Sequence, residues 1–151
     1  MASEYLNNRT FESIIQAFQF FKRHKVRCEL TLRDLKETHE RRAAKYKDNT
    51  RQAALDQQTQ NYAKVCAGFK DYQQQLAAAF YLLSQNIANW AKFSGIDIDD
   101  AIQEGVLISF EKIDRFDPRR GKGFNYFSTC CLNHYRQLYR GARNYNELKK
   151  R

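Results

Sequence analysis

The stretch NYAKVCAGFKDYQQQLAAAFYLLSQNIANW at residues 61–90 decides the fold of this chain. Its apolar residues recur every three or four positions, and residues 50–93 contain no proline and one glycine. This is the period of an α-helix with one buried face, so we predict one long helix or two nearly collinear ones, with Gly95 as the C-cap. The stripe predicted to lie in the core comprises Tyr62, Val65, Phe69, Tyr72, Leu76, Phe80, Leu83, Ile87 and Trp90.

The N-terminal segment has helical patterns of its own. Thr10 precedes apolar residues at helical spacing and predicts an N-cap for a helix over residues 11–23. Thr31 and Asp34 form a variant capping box that predicts a second, charged helix, ending near residues 48–50. We therefore expect two separate helices before the long one.

The C-terminal segment predicts two further helices. Asp97, Asp99 and Asp100 suit a helix N-terminus, and this helix should end at residues 117–118, where the single proline interrupts it. A last helix is predicted from about Asn125 to Ala142, with Phe127, Cys131, His134 or Tyr135, and Leu138 facing inward. The whole pattern predicts an all-α, compact helical domain that folds as one unit.

Composition narrows the class of protein. The chain has 151 residues and no apolar run long enough for a membrane span, and MASEYLNNRT lacks the apolar stretch of a signal peptide. Four cysteines and three histidines show no metal-ligand spacing, so we expect reduced thiols, no metal and no cofactor. Because apolar spans and a signal-peptide pattern are missing, we expect no membrane partner and a cytoplasmic location.

The positive charge is uneven along the chain. Residues 1–111 hold 15 Lys/Arg against 14 Asp/Glu, whereas residues 112–151 hold 11 against 3. A basic patch attracts phosphates, so nucleic acid is the first partner to consider, with a solvated basic tail as the alternative.

Residues 99–139 carry three unlike motifs in order: acidic DDAIQEG, the turn RFDPRRGKGF, and an aromatic helix that begins NYFST. They resemble the second conserved region of bacterial primary sigma factors, with motifs D-L-I-Q-E-G, F-D/E-x-x-R-G-x-x-F and S-T-Y-A. The matching positions are Asp100, Ile102, Gln103, Glu104, Gly105, Asp114, Phe116, Asp117, Arg120, Gly121, Phe124, Phe127 and Thr129.

The resemblance is looser upstream. Residues 82–95 are similar to the helix that precedes this region, and Tyr5, Asn7, Asn8, Ile14 and Ile15 are similar to the opening of late-transcription sigma factors of large tailed phages. The resemblance implies a sigma region 2 helical core over residues 77–145, after an N-terminal helical segment 1–76 and before a basic tail 146–151. A phage protein of this kind would act in the host bacterial cytoplasm.

The resemblance implies a non-enzymatic protein with two binding surfaces. One would hold the clamp helices of core RNA polymerase through Asp100, Gln103, Glu104, Gly105 and Phe110, with Gly105 allowing close approach. The other would capture the non-template strand of an A/T-rich minus-ten promoter element, because cations follow phosphates and aromatic faces stack on bases. Its predicted residues are Arg115, Phe116, Asp117, Arg119, Arg120, Lys122, Phe124, Tyr126, Phe127, Asn133, His134 and Gln137.

Departures from the family pattern qualify these expectations. Cys130 and Cys131 stand where primary sigma factors have two tryptophans, which predicts a smaller wedge for opening DNA. Because the sequence ends at Arg151, we expect no room for the domain with which full sigma factors read the minus-thirty-five element. The phage late factors that share this feature work with a separate co-activator, so the resemblance implies a possible co-activator here. The basic residues 146–151 do not suit a sliding clamp, which the phage factors bind through an apolar, acidic peptide.

Two hypotheses from other classes stay open. A stand-alone architectural nucleic-acid-binding protein would use the same basic aromatic helix, but would need no polymerase to select its site. A small nuclease would hold Mg²⁺ through Asp97, Asp99, Asp100 and Glu104, although helix capping explains these acidic residues with fewer assumptions.

Overall fold

A computed structural model describes residues 7–46 and 52–150 of the chain. Every regular element in these ranges is helical, which confirms the all-α class. The helices are α1 (Asn8–Tyr46), α2 (Gln52–Ala91), α3 (Ile98–Lys112) and α4 (Gly123–Lys149), with a short 3₁₀ helix, Ile113–Arg115, after α3. Within the described ranges, no helix is both long and apolar enough to cross a membrane.

Helix α1 is continuous where two helices were predicted. Its N-cap is Asn7 rather than Thr10, because the Asn7 Oδ1 accepts hydrogen bonds from the backbone N–H of Arg9 (3.0 Å) and of Thr10 (3.4 Å). The capping box at Thr31 is wrong, since this residue lies exposed inside the helix. Buried Cys28 and Leu32 continue the inward face past that point, and packing there overrides the local capping signal. The break predicted at residues 48–50 lies outside the described residues.

Helix α2 is a single helix, one of the two predicted arrangements. Trp90 is a wrong core prediction: its side chain is 77% exposed, while Ala88 is buried. Two residues correspond to a rotation of about 200° around an α-helix, so Trp90 points away from the side that Ala88 buries. The helix ends at Ala91, before the predicted Gly95 cap, and Lys92 (φ 47°) and Gly95 (φ 82°) both adopt left-handed conformations in the turn.

Helices α3 and α4 differ from their predicted forms mainly in length. Asp97 caps α3 by accepting a hydrogen bond from the Asp99 backbone N–H (3.4 Å). Helix α3 ends at Lys112, earlier than predicted, and the 3₁₀ helix fills part of the distance to Pro118. Helix α4 extends beyond Ala142 to Lys149, so most of the predicted basic tail is helical.

The chain forms two compact units rather than the single unit expected from its length. The described residues of Met1–Gln16 and Gln74–Arg151 form one, called here the four-helix unit. The described residues of Ala17–Gln73 form the other, called the hairpin unit. The start of α1 therefore belongs with the C-terminal helices, and the rest of α1 with the first part of α2.

The core of the four-helix unit is aromatic. Phe80 of α2 is fully buried, with ring centroids 5.9 Å from Phe11, 5.0 Å from Phe110 and 4.8 Å from Phe127. These contacts join one residue from each of α1, α3 and α4 to α2. This cluster fixes the helices that carry the candidate site.

The hairpin unit pairs α1 with α2 in antiparallel directions. The rings of Phe18 and Phe69 lie 5.1 Å apart, and farther along α1 the Tyr62 hydroxyl donates a hydrogen bond to Glu29 (2.7 Å). Residues farther along α1 thus contact residues nearer the start of α2, as in an antiparallel pair. The hydrogen bond to the Glu29 carboxylate is the largest cause that raises the pKa of Tyr62, because the neutral phenol can donate this bond and the phenolate cannot.

Candidate functional site

The exposed side of α3 carries the first part of the candidate site. Its buried face consists of Ala101, Ile102, Gly105 and Ser109. On the other side, a groove of about 360 Å³ opens between α3 and α4. Its lining residues are Gly95, Ile96, Asp97, Asp100, Gln103, Glu104, Leu107, Leu138 and Ala142. We call this surface the acidic groove.

Three of the predicted polymerase-binding residues, Asp100, Gln103 and Glu104, line the acidic groove. Phe110 is half-buried and packs on Phe80. Leu107 was missed, although its side chain is 64% exposed beside the carboxylates. The sequence carried a signal for it: Leu107 falls outside the inward spacing of α3, so a leucine there is left facing solvent.

Gly105 has an internal role that differs from the predicted one. It is buried, and a Cβ at this position would collide with the hydroxyls of Ser84 and Tyr135. Ser84 Oγ also donates to the Ile102 carbonyl (2.8 Å), and Tyr135 OH donates to the Ser84 carbonyl (3.2 Å). The glycine therefore allows α2 and α4 to approach α3, and it is not available to a partner protein.

The Tyr135 hydroxyl titrates differently from a free phenol. Burial, the largest cause, raises the pKa of Tyr135 to about 12. The same physical cause raises the pKa of the Cys131 thiol, which lies between Ser109 Oγ (3.5 Å) and the Gly105 carbonyl (3.6 Å). Both groups stay protonated at neutral pH and serve the packing of α3 against α4.

Glu104 and His134 connect α3 to α4. The His134 Nε2 lies 2.8 Å from the Glu104 Oε2, and both side chains are partly buried. His134 was predicted to read base edges, but in this structure that nitrogen is engaged by Glu104. Asn133 and Gln137, predicted for the same role, are exposed on α4.

The second part of the site is the turn between the 3₁₀ helix and α4. Asp117 organises it: its Oδ1 accepts a hydrogen bond from the Arg119 backbone N–H (3.0 Å), and its carbonyl accepts one from the Arg120 N–H (3.0 Å). The side chains of Arg119 and Arg120 are 94% and 89% exposed, each with its Nε 3.9 Å from the Asp117 carboxylate. Two exposed guanidinium groups are thus presented side by side. We call residues 115–122, which comprise this turn and the last residue of the 3₁₀ helix, the basic turn.

Glu12 of α1 holds the N-terminus of α4 next to this turn. Its Oε1 accepts hydrogen bonds from the backbone N–H groups of Gly123 and Phe124 (3.4 Å to the latter). Helix N-termini leave N–H groups unpaired and favour a nearby negative charge, so Glu12 caps α4 from another helix. The prediction missed this residue because the pairing spans 111 positions.

The predicted DNA-binding aromatics divide between core and surface. Phe127 is fully buried and Phe116 is 6% exposed, with their ring centroids 5.5 Å apart. Neither ring offers a free face in this structure, so the predicted base pocket is not formed by them here. Phe124 and Tyr126 are partly exposed, and burial raises the pKa of Tyr126.

The two adjacent cysteines of α4, Cys130 and Cys131, differ in burial. Cys131 is fully buried in the four-helix core, whereas Cys130 is partly exposed. Neither forms a disulfide. The side chain of Cys131 is therefore not available in this structure as a wedge for opening DNA. The sequence predicted only that such a wedge would be smaller.

The described residues contain no group of three or more His, Cys, Asp or Glu side chains that could hold a metal ion. Asp97, Asp99, Asp100 and Glu104 instead cap α3, stabilise its first turn, or bond to His134. The acidic groove and the basic turn are suited to binding partners of complementary charge and shape. Comparisons with family models, curated proteins and solved structures found no match to this chain.

Proposed function

We propose that this protein is an RNA polymerase sigma factor, of the late-transcription type of large tailed phages. It docks on the clamp helices of core polymerase and helps to recognise and open an A/T-rich minus-ten element. The sequence resemblance over residues 99–139 suggests this function. The observation that carries it is the presence, on one compact unit, of an acidic groove followed along the chain by an exposed basic turn.

The acidic groove suits a basic partner helix. Asp100 and Gln103 are exposed there beside the apolar side chain of Leu107. Carboxylate and amide groups next to an apolar contact provide both charge complementarity and buried area, which together give specific protein docking. We assign polymerase docking to this groove, with Leu107 as its apolar anchor.

The basic turn suits a DNA strand. Arg115, Arg119, Arg120 and Lys122 are all exposed, and partly exposed Phe124 follows at the start of α4. Cations neutralise phosphates, and one aromatic face can stack on an unpaired base. Because Phe116 and Phe127 are in the core, strand capture relies on fewer aromatic contacts than the family pattern implies. Opening of the duplex would then depend on polymerase and a co-activator.

A binding assay with bacterial core RNA polymerase tests the docking. The wild-type chain should bind core polymerase at moderate salt and direct initiation at A/T-rich promoters. Asp100→Ala combined with Gln103→Ala should weaken binding roughly tenfold, the effect of losing polar contacts at the centre of an interface. Asp99→Ala is the matched control, because Asp99 is exposed on the same helix turn and does not line the groove.

These substitutions test the groove better than Glu104→Lys, because Glu104 also bonds to His134 and its loss would disturb the packing of α3 on α4. If the purified wild-type chain did not bind core polymerase, the proposed function would be wrong. Equal losses in the Asp99→Ala control would show that general charge, and not the groove, drives binding.

A further inference from the structure

The hairpin unit carries a second basic region that the linear charge count concealed. Residues 17–73 hold 13 Lys/Arg against 7 Asp/Glu, a net charge of +6. Residues 1–16 and 74–111 together hold 2 against 7, a net charge of −5. The near-neutral first 111 residues therefore combine a basic hairpin with acidic parts of the four-helix unit.

A polar groove runs between α1 and α2 within this unit. It has a volume of about 480 Å³. Its lining residues are His24, Arg27, Cys28, Thr31, Gln58, Asn61, Lys64 and Val65. Side-chain groups able to donate hydrogen bonds thus come from both helices, and none of these eight residues is a carboxylate. We call this surface the hairpin groove.

The cations of the hairpin groove are exposed and uncompensated. Within the described part of the chain, neither Arg27 nor Lys64 forms an ion pair. The nearest carboxylate along α1, Glu29, accepts a hydrogen bond from Tyr62 and lies 4.0 Å from Lys25. None of these three residues lines the groove. Positive charge is therefore concentrated there without an internal partner.

We propose that the hairpin groove binds the phosphate backbone of duplex DNA without reading its sequence. Arg and Lys with Thr, Asn and Gln are the side chains that most often contact phosphate oxygens. The lining contains no Phe, Tyr or Trp on which an unpaired base could stack, which favours a duplex over a single strand.

The surroundings of the groove favour a polyanion with regular charge. Residues 22–33 of α1 hold five Lys/Arg and one Asp/Glu, so cations continue on both sides of Arg27. Duplex DNA presents one charge per about 1.7 Å along its axis, so several phosphates can meet the cations of this segment at once, which an isolated acidic side chain cannot do. This inference goes beyond the proposed function and does not depend on it.

The test measures binding of the full chain to a mixed-sequence DNA duplex, without polymerase, by fluorescence anisotropy over a range of salt concentrations. Arg27→Ala combined with Lys64→Ala should weaken binding at 0.1 M salt by about tenfold or more, and should reduce the slope of log K against log salt by about 2. Circular dichroism confirms that the variant keeps its helices.

The matched control is Lys36→Ala combined with Lys70→Ala. It removes the same charge from exposed residues of the same two helices, and neither residue lines the groove. This control should lose clearly less affinity than the groove variant. An exchange variant, Arg27→Lys with Lys64→Arg, keeps the charge and should bind within about threefold of the wild type, because point charges suffice for phosphate contacts.

Three results would overturn the proposal. One is an unchanged affinity in Arg27→Ala with Lys64→Ala, which would leave the basic turn as the DNA contact. Another is an equal loss in the control, which would show diffuse attraction. The third is tighter binding of poly-glutamate than of duplex DNA, with the same sensitivity to the groove variant, which would assign the groove to an acidic protein.

Discussion

At the scale of single residues, the packing of α3 depends on the absence of a side chain at Gly105. The neighbours of this position are the hydroxyls of Ser84 and Tyr135, which are themselves bonded to backbone carbonyls and cannot move freely. Position 141 of α4 is the opposite case, because no atom lies within 4 Å of a Cβ built there. Two glycines in helices thus have different reasons to be present.

Alanine substitutions at these two positions should affect stability differently. Gly105→Ala should lower the free energy of unfolding by about 1–3 kcal/mol, the usual cost of overpacking a core. Gly141→Ala should leave it unchanged or raise it by up to about 1 kcal/mol, because alanine is the better helix former. Urea unfolding followed by circular dichroism measures both. A Gly105→Ala protein as stable as the wild type would contradict the packing described here.

The burial of Tyr135 should make the free energy of unfolding decrease at alkaline pH. Because burial raises the pKa of Tyr135 to about 12 from 10.0, the folded state keeps the phenolic proton that the unfolded chain loses. This contribution is fully present below about pH 10 and is lost as the pH rises through about 12. Tyr135→Phe should therefore show a flatter decline of the urea midpoint across this range.

Tyr145→Phe is the control for the alkaline measurement, because Tyr145 is 60% exposed. Its unfolding midpoint should follow the wild-type curve across the whole range. Should Tyr135→Phe decline as steeply as the wild type, the alkaline transition would have to come from other groups.

At the scale of helices, the sequence predicted the all-α class and most of the buried faces, but it did not predict where several of the helices begin and end. The stripe through Val65, Leu76, Phe80 and Leu83 is buried as expected, since helical periodicity directly encodes a buried face. The capping box at Thr31 failed because side-chain packing of α1 on α2 outweighs a local capping preference. Signals that depend on neighbours distant in sequence, such as Glu12 at the start of α4, have no local pattern to reveal them.

The same limit applies to the candidate site. Asp100 and Gln103 of the acidic motif are exposed, as the helical spacing of α3 predicts for polar residues that lie outside its buried face. The aromatic motif did not predict which of its rings are buried and which are partly exposed. Phe116 and Phe127 lie against other rings of the four-helix unit, and only three-dimensional packing decides that.

Glu12→Ala tests the capping of α4 by α1. Loss of the carboxylate leaves the Gly123 and Phe124 backbone N–H groups without this acceptor, and should cost about 1 kcal/mol of stability. Amide hydrogen exchange should quicken at these two residues. Glu37→Ala, an exposed carboxylate later in α1, should change neither quantity. Unaltered exchange in Glu12→Ala would mean that another group satisfies the helix terminus.

At the scale of the whole molecule, the charge pattern follows the two compact units more closely than it follows position in the sequence. The acidic groove and the basic turn belong to the four-helix unit, and the hairpin groove belongs to the hairpin unit. A count by sequence position assigned the basic excess to the last 40 residues alone. Grouping residues by compact unit reveals a second cationic surface, in the hairpin unit, besides the basic turn of the four-helix unit, because the hairpin unit gathers residues that the linear count had averaged with acidic ones.

This division predicts that two activities are lost independently. Asp100→Ala with Gln103→Ala should weaken binding to core polymerase roughly tenfold while leaving free duplex binding no weaker, because removing a negative charge does not reduce attraction to phosphate. Arg27→Ala with Lys64→Ala should do the reverse, with polymerase affinity in the absence of DNA within about twofold of the wild type, a change of less than about 0.5 kcal/mol. Both variants are measured in both assays at one salt concentration. Loss of both activities in either variant would show that the two surfaces act together, because substitutions at exposed positions in separate units should otherwise add independently.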